Sequence, residues 1–189
     1  MGTLAFITRV HPSRPNMLKQ CVESVNAQTS TDFIHILHRH DASKAGYGKW
    51  NANKSLAAIK DIPARYVMVL DDDDMLIKRD FVEGFKTVID GREPEIVFFK
   101  GIVHKLGTLP RSAFWGKAPV YGQIASFCSA VRRDVWMRHI KEFGRRELGG
   151  DFCFISACYC NTKDHLWWDA VVAATQKGPG RAKGEGDHA

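Results

Sequence analysis

Four consecutive carboxylates, Asp71-Asp72-Asp73-Asp74, follow directly on the apolar stretch Tyr66-Val67-Met68-Val69-Leu70. Two carboxylates about 5 Å apart repel by roughly 3 kcal/mol at an effective dielectric of about 20. A run of four at the end of a buried strand is therefore costly unless a cation or solvent compensates it. Carboxylate oxygens are hard ligands that suit Mg2+ or Mn2+. Alternate aspartates such as Asp71 and Asp73 can reach a metal and a nearby hydroxyl from one short turn. The opposing reading is a solvated acidic turn that caps a helix starting near Lys78. The unbroken apolar strand ahead of the run favours the metal reading, because ligands of open α/β sheets bind beyond the carboxyl ends of the strands.

The elements around the run alternate. Leu4-Ala5-Phe6-Ile7 reads as a buried strand. Pro12 to Pro15 break it, and Met17, Leu18, Cys21, Val22 and Val25 give one apolar helical face. Phe33 to Leu37 reads as a second strand, followed by a polar loop with Gly46 and Gly48 and a helix over 53–59. Residues 66–70 form a strand covered on both faces, and Phe81, Val82, Phe85, Val88 and Ile89 line the next helix. Ile96 to Phe99 is a fourth strand. This alternation predicts a single α/β domain over 1–176, with a mostly parallel central sheet flanked by helices. In the second half, 101–122 reads as short strands and a long loop, 124–131 as a strand, and 133–143 and 151–160 as helices. Residues 177–189 are Gly-rich and polar with Arg181 and Lys183, and are expected to form a flexible basic tail.

Composition narrows the function classes. The chain has 189 residues, 44% of them hydrophobic, which is enough for one real core. No apolar run approaches the roughly 20 residues that span a bilayer, and residues 1–9 lack the features of a secretion signal. The expectation is a cytoplasmic protein, with membrane association at most peripheral. The five cysteines are odd in number and show no CxxC spacing, so free thiols are expected rather than disulfides or zinc. The net charge of +6 would suit an anionic partner, but apart from Arg132-Arg133 and Arg145-Arg146 the positive residues are scattered. That scatter argues against nucleic acid as the partner.

Three segments together resemble family 2 glycosyltransferases of the GT-A fold. Phe6-Ile7-Thr8-Arg9 through Arg14-Pro15-Asn16-Met17-Leu18, with Cys21-Val22-Glu23-Ser24-Val25 and Gln28-Thr29, is similar to the family's first strand, its N-R-P-x-x-L turn and its E-S-V-x-x-Q-T helix. Residues 66–76 resemble the strand and D-x-D segment. Gly149-Gly150-Asp151-Phe152 resembles the late G-E-D-[WF] segment, with Gly150 where the family has glutamate.

The resemblance implies a metal-dependent, inverting, hexosyltransferase-like enzyme that uses a nucleotide-diphosphate sugar, UDP by default, and a glycan or related hydroxyl acceptor. Asp71 and Asp73 would bind Mn2+ or Mg2+ and the donor, with Asp74 an alternative ligand and Asp72 in the donor site. Asp151 would be the general base that takes the acceptor's proton; its other reading is an N-cap. Thr8, Arg9, Asp41, Lys49 and Asn53 would line the donor nucleotide pocket, with His40-Asp41 standing where the family has an acidic pair. His165 is a candidate third metal ligand, and Arg181 and Lys183 are candidates to cover the diphosphate. Trp115, Trp136, Trp167 and Trp168 are core residues or sugar platforms. Three readings compete. A nucleotidyltransferase would need a Gly-rich loop after the first strand, and residues 10–16 contain no glycine. A nucleic-acid-binding module has no use for clustered aspartates. A GT-A-like domain could also bind a sugar nucleotide without turnover.

Overall fold

The computed structural model describes residues 1–39, 49–59, 61–145 and 149–176, and for 49–52 the backbone alone. Eight strands, β1 (Gly2–Val10), β2 (Phe33–Arg39), β3 (Ala64–Val69), β4 (Asp74–Leu76), β5 (Ile96–Val103), β6 (Gly107–Leu109), β7 (Ser129–Arg132) and β8 (His165–Thr175), form one sheet. Among the described residues five α-helices accompany it: α1 (Pro15–Asn26), α2 (Lys49–Leu56), α3 (Phe81–Ile89), α4 (Arg133–His139) and α5 (Gly150–Cys160). The strand order is β2-β1-β3-β7-β5-β8-β4, with β6 paired to β5. β1, β2, β3, β5 and β8 run one way, and β4, β6 and β7 run against them. The sheet is therefore mixed but mostly parallel in direction, with helices on both faces.

The burial pattern explains the unbroken apolar strands. Leu4, Phe6, Tyr66 and Met68 pack on one face against Cys21 and Val25 of α1 and Phe81 and Phe85 of α3. Ala5, Ile7, Val67 and Val69 face the other way, onto Leu56 of α2, Trp136 of α4 and Phe154 and Ile155 of α5. Side chains alternate across a strand, so a strand between two helical layers needs apolar residues at every position.

Some boundaries differ from the sequence reading. The second helix is Lys49–Leu56 rather than 53–59. The strand expected over 124–131 is a short 3-10 turn, Ser126–Cys128, followed by β7. The helix over 133–143 becomes 3-10 after His139. β8 has no counterpart in the sequence reading, although it supplies the partner for β4, pairing Asp74 with Thr175. Among the described residues no helix is long and apolar enough to cross a membrane.

Helix α1 also braces the acidic segment. Ser24 Oγ accepts from the Leu76 N–H at 3.0 Å. Gln28 Nε2 donates to the Lys78 carbonyl at 2.8 Å, and its Oε1 accepts from the Val82 N–H at 3.2 Å. The polar residues of the Glu23-to-Thr29 segment thus fix β4 and the start of α3.

Candidate active site

The acidic run sits at the carboxyl end of β3. The Asp74 N–H donates to the Asp71 carbonyl at 2.9 Å, closing a turn with Asp72 and Asp73 at its centre. Carboxylate oxygens of Asp71, Asp73 and Asp74 lie within 4.8 Å of one another, the one such cluster of potential metal ligands among the described residues. The turn sends Asp72 the other way. It is 1% exposed, accepts from the His11 N–H at 2.5 Å and pairs with Arg14 at 3.2 Å. Asp72, expected in the donor site, instead anchors the loop between β1 and α1. Arg14 also reaches Asp73 at 3.2 Å.

Burial sets the electrostatics. Asp74 is 3% exposed and makes no ion pair among the described residues. Burial, then the charges of Asp73 and Asp71, push its carboxyl well above the usual range. Buried Asp74 and the partly exposed oxygens of Asp71 and Asp73 make an all-oxygen set whose crowded negative charge a hard divalent cation would relieve, so these residues fit Mg2+ or Mn2+.

Arg9 and Asn53 complete the floor of the site. Arg9 Nε donates to Asp71 Oδ1 at 2.6 Å and Nη2 to Oδ2 at 2.5 Å, while Nη1 donates to Asn53 Oδ1. Burial works against the Arg9 charge, but Asp71 foremost, with Asp151 and Asp74, raises its pKa above the ordinary value. Asp151 lies in the first turn of α5, and its N-cap is Gly149, in the left-handed region. Burial raises the Asp151 pKa, and the Arg9 charge opposes that rise. The structure therefore brings Arg9, Asn53, Asp71, Asp73, Asp74 and Asp151 to one place. Ser126, missed in the sequence, joins them at 3.5 Å from Asp71.

Gly150 is explained by the same packing. A Cβ there would lie 2.2 Å from the Phe143 carbonyl oxygen and 2.6 Å from Asn53 Nδ2. The family's glutamate has no room, and Asn53 fills the space beside Asp151.

Other expectations move. Thr8 is fully buried, donating to the Leu70 carbonyl at 2.7 Å beside His35 and Cys21, and does not line a nucleotide pocket. His165 pairs in register with Ile96 at the start of β5, whereas Asp74 pairs with Thr175 at the far end of β8. Ten residues of strand put roughly 30 Å between them, so His165 is no ligand of this cluster. It bonds Thr162 at 2.7 Å and stacks on Tyr159. Trp168 stacks on Phe81, Trp167 on Phe98, Trp115 lies edge-on to Trp167, and Trp136 is buried, so these rings serve packing. Cys21, Cys128 and Cys158 are buried free thiols. Asp41, Arg181 and Lys183, and the side chain of Lys49, lie outside the described residues.

A cavity of about 10 Å³, room for one water, is lined by Asp151, Ser126 and Ser129 together with apolar core residues. A wider groove of about 590 Å³ opens at the other end of the sheet, by Thr3, Arg65 and Lys86.

No family model matches the sequence, and no curated protein matches it. Solved structures do match. TarS 1-349 of S. aureus superposes with a TM-score of 0.69 at 14% identity, over 93% of this chain and 60% of that one. A glycosyltransferase involved in glycosylation of the major capsid of PBCV-1 gives 0.56 at 9% identity, over 92% and 93%. The fold is that of a GT-A-like glycosyltransferase. A197 from STIV shares it, with a TM-score of 0.56 at 18% identity, over 94% of this chain and 87% of that one. TarS 1-349 has also been solved with UDP-GlcNAc, and this chain spans about 60% of that structure.

Proposed function

We propose that this chain is a metal-dependent, inverting glycosyltransferase that moves a sugar from a UDP-sugar to a glycan or related hydroxyl acceptor. The convergence of Asp71, Asp73 and Asp74 within 4.8 Å at the carboxyl end of β3 carries the reading. The fold agrees with it, and the complex of TarS 1-349 with UDP-GlcNAc supports UDP as the nucleotide.

Asp71, Asp73 and Asp74 would hold Mn2+ or Mg2+, which when bound supplies positive charge for the departing diphosphate. The donor would lie over the exposed sides of Asp71 and Asp73. Asp151 accepts the acceptor hydroxyl's proton as the acceptor oxygen bonds the anomeric carbon and that carbon's bond to the diphosphate oxygen breaks. Burial makes Asp151 a stronger base than a solvated carboxylate, while Arg9 keeps its ionised form accessible. A cytoplasmic location, without nucleic acid as a partner, belongs to the same proposal and rests on the sequence.

One observation favours a second reading, donor binding without turnover. Both carboxylate oxygens of Asp71 are already taken by Arg9, so a guanidinium could stand in place of a metal ion. Release of UDP from a panel of UDP-sugars, with Mn2+ and with EDTA, separates the two. The enzyme reading expects Mn2+-dependent release and an inverted anomeric configuration in the product by NMR. A retained configuration, or no release with any donor, contradicts it.

A further inference from the structure

Gln176 follows β8 directly and is 5% exposed. Its backbone N–H donates to the Asp73 carbonyl at 2.7 Å. Its side-chain Nε2 lies 3.1 Å from the Asp72 carbonyl, 3.0 Å from that of Asp74 and 2.9 Å from that of Met17 in α1. One residue thus takes three successive carbonyls of the acidic turn and ties them to a helix. An amide carries two N–H groups, so two of the three side-chain partners share one. Turning the amide over would set Oε1 against three acceptors, so its orientation is fixed.

The carboxylates that converge beyond this turn, with oxygens within 4.8 Å of one another, repel one another. Against that stand the Arg9 pair with Asp71, the Arg14 pair with Asp73, the closing bond of the turn and β4, which is three residues long. Fixing the carbonyls of Asp72, Asp73 and Asp74 fixes the peptide planes between them, and with these the directions in which Asp73 and Asp74 leave the backbone. We infer that Gln176 is a positioning residue, holding Asp71, Asp73 and Asp74 in a metal-ready arrangement before an ion arrives. The inference rests on the metal reading proposed above. Groups that orient metal ligands from behind typically change metal affinity by about 10–100-fold when removed.

The test is Mn2+ binding, followed by the EPR signal of free Mn2+, in wild-type protein, Gln176→Met and Gln176→Glu. Methionine keeps the volume and removes the donors; glutamate keeps the shape and turns a donor into an acceptor. Both variants are expected to bind Mn2+ about 10–100-fold more weakly, while the metal-free forms still unfold in one cooperative transition. Wild-type affinity in either folded variant overturns the inference alone. Failure of both variants to fold overturns it too, since Gln176 would then serve the fold. A wild-type protein that takes up no Mn2+ overturns the functional reading and this inference with it.

Discussion

Arg9 grips Asp71 through two parallel hydrogen bonds, Nε to Oδ1 at 2.6 Å and Nη2 to Oδ2 at 2.5 Å, while Asn53 accepts from its third nitrogen. The side chains are 15% and 20% exposed, so the pair is largely out of water. Arg9 is on β1 and Asp71 follows β3, and these strands pair in parallel. These two neighbouring strands thus present a cation and an anion side by side at their carboxyl ends. In the metal-free protein this guanidinium is the main compensation for Asp71.

Arg9→Met removes that charge and keeps much of the stem's bulk. Taking one partner from a largely buried pair is expected to cost about 3 kcal/mol. Mn2+ then supplies the missing positive charge, so it should raise the thermal midpoint of the variant more than that of the wild type. Melting curves with and without Mn2+ measure this, and equal shifts would dissociate Arg9 from the metal ligands.

Asp151→Asn separates catalysis from stability. Burial raises the Asp151 pKa, so its ionised form is held at some cost to the fold. The sign follows from linkage: an acid with a raised folded pKa stabilises below its unfolded value and loses that contribution as pH rises. At neutral pH the asparagine variant should be as stable as wild type or more so, yet turn over about 10²–10⁴-fold more slowly. Chemical denaturation and steady-state rates test the two halves.

Two buried groups titrate in opposite senses. Burial pushes Asp72 up to about 6, despite the His11 N–H that opposes the rise. Its contribution is present below its unfolded value and lost as pH rises through about 6. Burial pushes His35 down to about 4, so the unfolded chain protonates first and its contribution is lost as pH falls from about 6.5 toward 4. The two slopes oppose each other over the same window. The informative quantity is therefore wild type minus Asp72→Asn, which should fall by on the order of 2 kcal/mol between pH 4 and pH 7. A flat difference would show that Asp72 keeps an ordinary pKa.

Gly150 offers a steric test. Gly150→Ala places a carbon 2.2 Å from the Phe143 carbonyl oxygen, a backbone atom that can move only with the 3-10 turn that carries it. A loss of about 3 kcal/mol is expected. Gly91→Ala is the control: its φ of +69 is left-handed, but no atom lies within 4 Å of the new carbon. That substitution should cost about 1 kcal/mol. Urea unfolding compares them, and equal losses would mean that the space at Gly150 is not as tight as described.

What the sequence made legible was local. The apolar run over 66–70 gave β3 and the position of the acidic turn beyond it, and the 3.6-residue spacing from Met17 to Val25 gave the buried stripe of α1. Residues whose roles depend on distant partners were not legible. Thr8 follows the buried face of β1 and bonds a carbonyl 62 positions away. The family resemblance makes His165 a candidate metal ligand, but β8 carries it to the other end of the sheet, and no local pattern shows that. Asp72 and Asp73 look alike in a run of four, and only the turn sends one inward. Gln176 is a single polar residue after an apolar strand, with partners more than 100 positions away, and no local pattern marks it.

The central claim is tested most directly by calorimetric titration of UDP-sugars, UDP-GlcNAc among them, into wild-type protein and Asp73→Asn, in Mn2+ and in EDTA. The account predicts binding of at least one donor to the wild type in Mn2+, its loss in EDTA, and affinity at least about tenfold weaker in Asp73→Asn. Binding of equal strength in EDTA, or no binding by any donor, would contradict it.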